Sequence, residues 1–429
     1  MQYFKILLFG LALSNIGSSV TSFSISLWVM KQTQSSFDFS LVMLAAGLPV
    51  LLTAPVLGAI SDKFKKLSLM MLCQTICICS ALVLLALFFL GLVNMALLVI
   101  VTVVMGIASA LSGLAFVSLI PLLVGTSKLH TAQAFRASLG SIISLITPVI
   151  GGILLYQLNL GVILLLDAIS YLFALASIQI VRIEKQEQSP ASSSALLNIM
   201  GLKAFIAELS ALPVIKRIFV KSIMVNFVSS SLLVVIPFYF LSSFPYSQAI
   251  ALMVAGSIGA LVGSILISKF ASDINKIPTY TNTVLLVMAA AYALIAIPNV
   301  INVFIGMVVL SASFSLFNGM VTVSIQVNTN VENRGRMFAY LGMAAQSASL
   351  LALPVYGLLM DQSGFVSPNI NSLSGFKALS ESGPLLSASY ASIASVILIA
   401  AGIATFAIWV VFRLKTPAIS IHSLPQGEK

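Results

Sequence analysis

Long uncharged runs alternate with short polar segments along nearly the whole chain. The runs at 39–60 and 67–92, for example, contain no Lys, Arg, Asp or Glu. About 20 apolar residues are needed for an α-helix to cross the hydrocarbon core of a bilayer, so each such run predicts a membrane-spanning helix. We predict an all-α integral membrane protein with twelve spans, at 5–29, 39–60, 67–92, 95–121, 135–157, 159–181, 217–242, 247–269, 279–298, 300–326, 337–360 and 387–412.

The composition agrees with a membrane protein and argues against a nucleic-acid binder. Hydrophobic residues make up 59% of the chain and charged residues only 7%, whereas soluble domains have about 25% charged residues. The net charge is +10, and basic residues collect in cytoplasmic loops of membrane proteins. With both termini placed in the cytoplasm, only Lys31 and Lys377 of the 21 Lys and Arg residues fall in outer loops. The sequence therefore predicts a multi-pass membrane protein with cytoplasmic termini and no nucleic-acid partner.

An internal repeat relates the first six spans to the last six. A single offset of 206 residues, without gaps, aligns four separate places. They are Asp62-Lys63-Phe64 with Ser268-Lys269-Phe270, Ser112-Gly113 with Asn318-Gly319, Lys128 with Arg334, and Pro148–Gly151 with Pro354–Gly357. Parallel repeats of six helices are typical of one large class of secondary transporters. The repeat predicts an N-terminal half at 1–182, a cytoplasmic linker at 183–216, a C-terminal half at 217–413 and a cytoplasmic tail at 414–429.

A charged loop separates the second and third predicted spans. It contains Gly58, Asp62, Lys63, Lys65 and Lys66. A carboxylate at the end of a span can cap the amino terminus of a neighbouring helix and pair with basic residues. Contacts of this kind, formed in one conformation and broken in another, would make the loop a conformational latch. The alternative is that the loop only holds this end of the spans in the cytoplasm. Since the repeat has Ser268 in place of Asp62, a latch would be one-sided.

Asp167 is an acidic residue deep within a predicted span. It lies roughly 12 Å from the outer end of the sixth span at the helical rise of about 1.5 Å per residue. An ionisable residue inside a membrane is costly and is by default a functional candidate. Asp167 is therefore our candidate proton site. The alternative is a packing residue that bonds to neighbouring hydroxyl or amide groups.

The spans expected to line a central cavity carry polar and aromatic residues but almost no charge. Hydroxyl, amide and aromatic groups suit a mostly apolar ligand that is held by few polar contacts. The alternative is hydrogen bonding between helices. The candidate lining residues are Asn15, Ser18, Asn226, Ser230, Tyr239, Phe314, Asn318 and Gln346.

Proline and glycine in the fifth and eleventh spans form a separate group. Proline bends a helix and glycine lets helices approach closely, so we expect hinge and packing roles and no contact with a ligand. The residues are Pro148, Gly151, Gly152, Pro354 and Gly357.

Four stretches resemble motifs of a known family. The loop from Gly58 to Lys66 resembles the signature between helices 2 and 3 of the major facilitator superfamily, although it is one residue shorter. The other three are Pro121–Val124 followed by Leu129 and Ala134, Thr147–Gly152 with threonine in the first glycine position of an antiporter motif, and Arg334–Phe338 at the start of helix 11. In this order and on these spans, they make the whole chain resemble that superfamily, and within it the bacterial drug-efflux branch that includes macrolide exporters.

The resemblance implies a secondary active exporter in the bacterial inner membrane. It would export lipophilic drug-like or natural-product molecules by alternating access, driven by proton antiport. The alternatives are a dedicated exporter of a self-made metabolite or peptide, a lysolipid transporter, and, from another class, a non-transporting sensor or scaffold. One departure bears on coupling: efflux members carry an arginine near the start of helix 4, where this chain has Met105. The coupling ion and the substrate are therefore left open.

Enzymatic and cofactor-dependent functions find little support. The two histidines, His130 and His422, are far apart, and the three cysteines, Cys73, Cys77 and Cys79, share one apolar run. No sequence cluster suits metal binding, acid–base catalysis or ATP binding. We expect no enzymatic activity, no metal and no cofactor. The expected partners are a small lipophilic substrate, protons and the lipid bilayer, and we expect a monomer.

Overall fold

The computed structural model describes residues 2–33, 35–125, 158–181, 209, 213–270, 276–329, 331–361 and 388–414, with isolated positions between 132 and 154. These ranges contain twelve helices. They are α1 (Gln2–Thr33), α2 (Ser36–Lys63), α3 (Lys66–Phe89), α4 (Met95–Val124), α5 (Leu160–Ile180), α6 (Pro213–Ser229), α7 (Ser231–Ser243), α8 (Tyr246–Phe270), α9 (Ile277–Ile295), α10 (Val300–Asn328), α11 (Val331–Asp361) and α12 (Ala388–Leu414).

The observed helices follow the predicted spans, except that the seventh span is divided into two helices and the fifth is described only in part. The sixth span is α5, and the seventh is divided at Ser230 into α6 and α7. The fifth span is described only at isolated positions, such as Ile143 and Gly151. Nearly all of the predicted linker at 183–216 and the tail after Leu414 lie outside the described residues.

Asparagine caps explain where several long helices begin. Asn94 Oδ1 accepts a hydrogen bond from the backbone N–H of Leu97 at 2.9 Å, and Asn159 Oδ1 accepts one from Val162 at 2.9 Å. Asn299 caps α10 in the same way. Because the first N–H groups of a helix have no partner within the helix, a side-chain acceptor fixes the start. These caps lie at the short polar turns that interrupt the apolar sequence.

The helices form two bundles, each with its own core. The first core joins α1 to α5 and includes Leu7, Met70 and Leu119. The second joins α6 to α12, includes Val234, Leu285 and Phe317, and also takes in Phe23 of α1 and Phe39 of α2. Apart from these residues of α1 and α2, the two cores follow the two repeats that the sequence predicts.

The outer surface of the bundles is apolar, as a lipid-facing surface must be. Phe89 and Ile265 expose 74% and 73% of their surface. Within the described residues, ten segments are long and apolar enough to cross a membrane, and Ala251–Ile267 is a shorter apolar segment. The predicted all-α membrane fold is confirmed.

Helix α2 connects the two bundles through its packing on α11 and, less extensively, on α7. The Phe39 ring of α2 lies 5.6 Å from the Phe238 ring of α7 in an edge-to-face arrangement, a favourable geometry for aromatic pairs. Farther along, Gly47 lies against the Leu350 side chain of α11. The first half of α2 is therefore part of the contact between bundles.

Candidate functional site

A cavity of about 120 Å³ lies within the first bundle. Its walls come from α1, α3, α4 and the described positions of the fifth span. The apolar part of the wall includes Leu8, Leu11 and Ile143. The polar part consists of Ser14, Asn15, Gln74, Ser109, Ser112 and Arg136. A mostly apolar wall with a few polar groups can orient a small organic group.

Gln74 anchors the polar wall of this cavity. Its side chain is buried, and its Nε2 atom donates a hydrogen bond to Ser112 Oγ at 3.2 Å. The Ser14 hydroxyl donates to Gln74 Oε1 at a longer distance of 3.5 Å. These bonds tie α1, α3 and α4 together and fix the orientation of the amide.

Two glycines keep space open beside the polar wall. Gly113 of α4 and Gly140 of the fifth span both line the cavity. A Cβ atom added at either position would meet no atom within 4 Å. Larger side chains at these positions would therefore project into free volume and reduce it.

Asp167 lies inside the first bundle, between α5 and α1. Its side chain is only 1% exposed, and the Ser170 hydroxyl lies 3.3 Å from its Oδ1 atom. A Cβ atom at Gly17 of α1 would come within 2.7 Å of Asp167 Oδ1, so this contact requires glycine. The Oδ2 atom is buried without a hydrogen-bond partner among the described residues, and Thr21 of α1 lies near the carboxylate.

The two predicted cavity residues of the first bundle, Asn15 and Ser18, lie in different places in the structure. Asn15 lines the cavity. Ser18 instead bonds to Tyr171 of α5, with 2.8 Å between the two hydroxyl oxygens, which places it in the packing around Asp167.

The predicted cavity residues of the second bundle mostly bond within it. Asn226 Nδ2 donates to the Ser222 carbonyl at 2.8 Å, Ser230 Oγ to the Phe227 carbonyl at 2.6 Å, Asn318 Nδ2 to the Phe314 carbonyl at 3.1 Å, and Tyr239 OH to the Ile295 carbonyl at 2.9 Å. Phe314 packs against the second core, and Gln346 is an exposed residue of α11.

The two predicted hinge regions each contain a close contact at glycine. A Cβ atom at Gly151 would lie 2.9 Å from the Phe23 ring of α1, and one at Gly357 would lie 2.8 Å from Phe37 Cα of α2. Pro354 lies inside α11. Pro148 and Gly152 lie outside the described residues.

The charged loop is a tight connection between α2 and α3. Lys66 Nζ donates to the backbone carbonyl of Ser61, and Lys65 precedes α3 with an exposed side chain. The side chains of Asp62 and Lys63, and the surroundings of Gly58, lie outside the described residues.

Two charged residues that the sequence did not single out make specific contacts. Asp361, the last residue of α11, accepts hydrogen bonds from Ser35, Ser36 and Phe37 at the start of α2. Lys221 of α6 is buried, and its Nζ atom donates to Asn282 Oδ1 of α9 at 2.6 Å. Asp361 did not stand out in the sequence because it directly follows the eleventh predicted span, where a charged residue is expected. Lys221 did not stand out because it was counted among the cytoplasmic basic residues.

Two bundles of membrane-spanning helices with a polar-walled internal cavity define the chain as a transporter-like membrane protein. The sequence matches the Major Facilitator Superfamily over residues 7–370. The chain therefore belongs to this superfamily, as the sequence motifs predicted.

Comparisons with individual proteins agree with this assignment. The chain is 23% identical to macrolide efflux protein A of Streptococcus pyogenes over 363 residues, which cover 83% of this chain and 88% of that protein. Among solved structures, a bacterial homologue of the human lysosomal transporter Spinster, inward-facing and occupied, has a TM-score of 0.72 at 16% identity and covers 96% of this chain and 95% of its own. The nucleoside transporter NupG has a TM-score of 0.70 at 15% identity, and the match covers 97% of this chain and 100% of NupG.

Proposed function

We propose that this protein is a secondary active exporter of lipophilic drug-like or natural-product molecules in a bacterial inner membrane. The observation that carries the proposal is the cavity in the first bundle, whose apolar wall is interrupted by Gln74, Ser112 and Arg136. Polar groups set in an apolar wall are typical of small-molecule sites, and a volume of about 120 Å³ accommodates one part of such a molecule. The similarity to macrolide efflux protein A supports the same substrate class.

In the proposed orientation, both termini are cytoplasmic and the cavity lies in the cytoplasmic half of the bundle. Gln74 is eight residues beyond Lys66, which begins α3 at the charged loop. Asp361 and the start of α2 then lie at the outer surface, where the bundles touch. Contact between the bundles at the outer end corresponds to closure on that side, as in the inward-facing half of an alternating-access cycle.

Proton antiport is the proposed source of energy, with Asp167 as the proton site. The position that holds an arginine in efflux members is Met105, which is buried in the first core. Asp167 is a buried acid of that core, and its Oδ2 atom has no hydrogen-bond partner in the described part of the chain. A proton bound there would remove an uncompensated buried charge, and its release would restore that charge. The protonated and the charged form of Asp167 would therefore favour different packings of α1 on α5, and one proton would be exchanged in each transport cycle.

Uptake into inverted membrane vesicles tests this function. Vesicles containing the protein should accumulate a lipophilic antibiotic, such as a macrolide, when their interior is made acidic. Collapse of the pH gradient should stop accumulation. Vesicles prepared without the protein provide the baseline. An absence of accumulation across a broad panel of lipophilic antibiotics would contradict drug export, and uptake of a peptide or lysolipid instead would favour one of the alternative substrates.

A further inference from the structure

The carboxylate of Asp361 joins the two bundles at one end of α2. Its Oδ1 atom accepts a hydrogen bond from the backbone N–H of Ser36 at 2.7 Å. Its Oδ2 atom accepts one from the backbone N–H of Phe37 at 2.9 Å and another from the Ser35 hydroxyl at 2.6 Å. One side chain at the end of α11 therefore holds three consecutive residues of the other bundle.

These contacts complete the hydrogen bonding of the first turn of α2. Ser35 Oγ also accepts from the backbone N–H of Asp38 at 3.1 Å, and the backbone N–H of Phe39 donates to the Ser35 carbonyl at 3.3 Å. The first N–H groups of a helix have no partner within the helix. Here the Ser35 cap and the Asp361 carboxylate together supply acceptors for Ser36, Phe37 and Asp38. Because the amino terminus of a helix carries partial positive charge, an anionic acceptor is favoured there.

The neighbouring packing requires the two bundles to be in close contact. Gly357 lies one turn before Asp361 on α11, and a Cβ atom there would come within 2.8 Å of the Ser36 carbonyl oxygen. Ser40 is fully buried next to it. Separation of α11 from α2 would therefore break the three hydrogen bonds of Asp361 and open this seam to solvent.

The contact has no equivalent in the internal repeat. At the offset of 206 residues, Asp361 corresponds to Leu155, and Ser35 corresponds to Leu241. Neither leucine side chain can form a hydrogen bond, so the second copy of this contact cannot be made. The carboxylate is thus a feature of one side of the molecule.

We propose that Asp361 is a positioning residue for transport: its carboxylate holds α11 on the start of α2 and stabilises the conformation that is closed at this end. This inference rests on the proposed function, in which this end faces outward. In the opposite conformation, water replaces Asp361 at the amino terminus of α2. The contact is therefore reversible, and it shifts the balance between two states rather than fixing one. Asp361 acts at the opposite end of α2 from Asp62, the latch residue that the sequence predicts.

The test measures how often the seam opens. Ser40→Cys places a reporter thiol in the seam, in a background where Cys73, Cys77 and Cys79 are replaced by alanine. A membrane-impermeant maleimide is added to right-side-out vesicles, and the labelling rate is followed. Because hydrogen bonds to a charged acceptor are stronger than those to a neutral amide, Asp361→Asn should raise the rate roughly tenfold. Ser35→Ala should raise it less, and Ser35→Thr, which keeps the hydroxyl, should leave it near the starting value.

Asp38→Asn is the matched control for the change of charge. Asp38 lies in the same first turn of α2, and its side chain takes no part in the three bonds to Asp361. Each variant is compared only if it elutes from a sizing column like the parent. An unchanged rate in Asp361→Asn, or an equal rise in Asp38→Asn, would overturn the proposal. The labelling measurement needs no substrate. If Asp361→Asn is labelled faster but the parent protein takes up no drug, the result counts against the proposed function alone. If the parent takes up drug normally and labelling of Asp361→Asn is unchanged, the result counts against the role of Asp361 alone.

Discussion

Lys221 Nζ donates a hydrogen bond to Asn282 Oδ1 at 2.6 Å, which links α6 to α9 inside the second bundle. Thr281 Oγ1 lies 3.4 Å from the same nitrogen, and the Phe412 ring centre of α12 lies 5.1 Å from it. An amide oxygen, a hydroxyl group and an aromatic face therefore surround a buried amine. Loss of the amine and loss of its amide acceptor should therefore change the free energy of unfolding by different amounts.

Asn282→Ala should destabilise the protein more than Lys221→Met. Loss of the acceptor leaves a buried amine without its shortest hydrogen bond, which costs on the order of 1–3 kcal/mol. Methionine removes the buried amine itself and keeps a side chain of similar length, so the loss should be smaller. Thermal unfolding in detergent gives the comparison. Asn318→Ala is a control, since the Asn318 side chain donates to a carbonyl of its own helix. Equal unfolding temperatures for Asn282→Ala and Lys221→Met would contradict this account.

The helices could be predicted because the bilayer imposes a simple rule on sequence. The apolar run at 67–92 became α3 at Lys66–Phe89, since every backbone polar group in hydrocarbon must be bonded within a helix. The break at Ser230 was not predicted, although Ser229, Ser230 and Ser231 form a polar stretch there, because serine is also common as a packing residue inside unbroken membrane helices. The break follows from local backbone bonding, with Ser230 N–H bonded to the Asn226 carbonyl and Leu233 N–H to the Ser230 carbonyl.

The partners of polar side chains could not be predicted in the same way. Asp361 and Ser36 are 325 residues apart in sequence, and helical periodicity does not show which helices are neighbours. Tyr239 illustrates the same difficulty within one bundle. The sequence suggested a cavity residue, whereas its hydroxyl donates to the Ile295 carbonyl from a fully buried ring. An amphipathic side chain can turn its polar tip towards a cavity or a carbonyl, and only the packing decides between them.

Filling the cavity should block transport without harming the fold. Gly113→Leu adds a branched side chain at a position where a Cβ atom meets nothing within 4 Å, and leucine favours a helix more than glycine does. We expect substrate uptake at low concentration to fall about tenfold, equivalent to a loss of roughly 1.4 kcal/mol in binding. The measurement is initial uptake into inverted vesicles, normalised to the amount of protein.

Gly342→Leu is the matched control for this change. Gly342 is an exposed residue of α11 at which an added Cβ atom would likewise meet nothing within 4 Å, and it does not line the cavity. Its variant should transport normally. If Gly113→Leu also transports normally, the cavity is not the substrate site.

Asp167→Asn should abolish proton movement that is driven by substrate. The asparagine side chain has nearly the same size, so it fits against Gly17, but it cannot release a proton. Addition of substrate to vesicles that contain a pH-sensitive dye should produce a signal with the parent protein and none with the variant. A packing role for Asp167 predicts a different result, namely a lower unfolding temperature with proton movement intact. That outcome would remove Asp167 as the proton carrier.

Asp62→Asn should leave membrane insertion intact and slow transport, because the sequence-predicted latch lies at the end of α2 opposite Asp361. If Asp62 stabilises the conformation that is closed at the charged loop, its loss favours the conformation closed at the Asp361 end. Labelling of Ser40→Cys should then become slower, about tenfold if one charge-assisted contact is lost, whereas Asp361→Asn makes it faster. The double variant should lie between the two single variants. Normal transport and unchanged labelling in Asp62→Asn would reduce the charged loop to a signal that keeps this end of the protein in the cytoplasm.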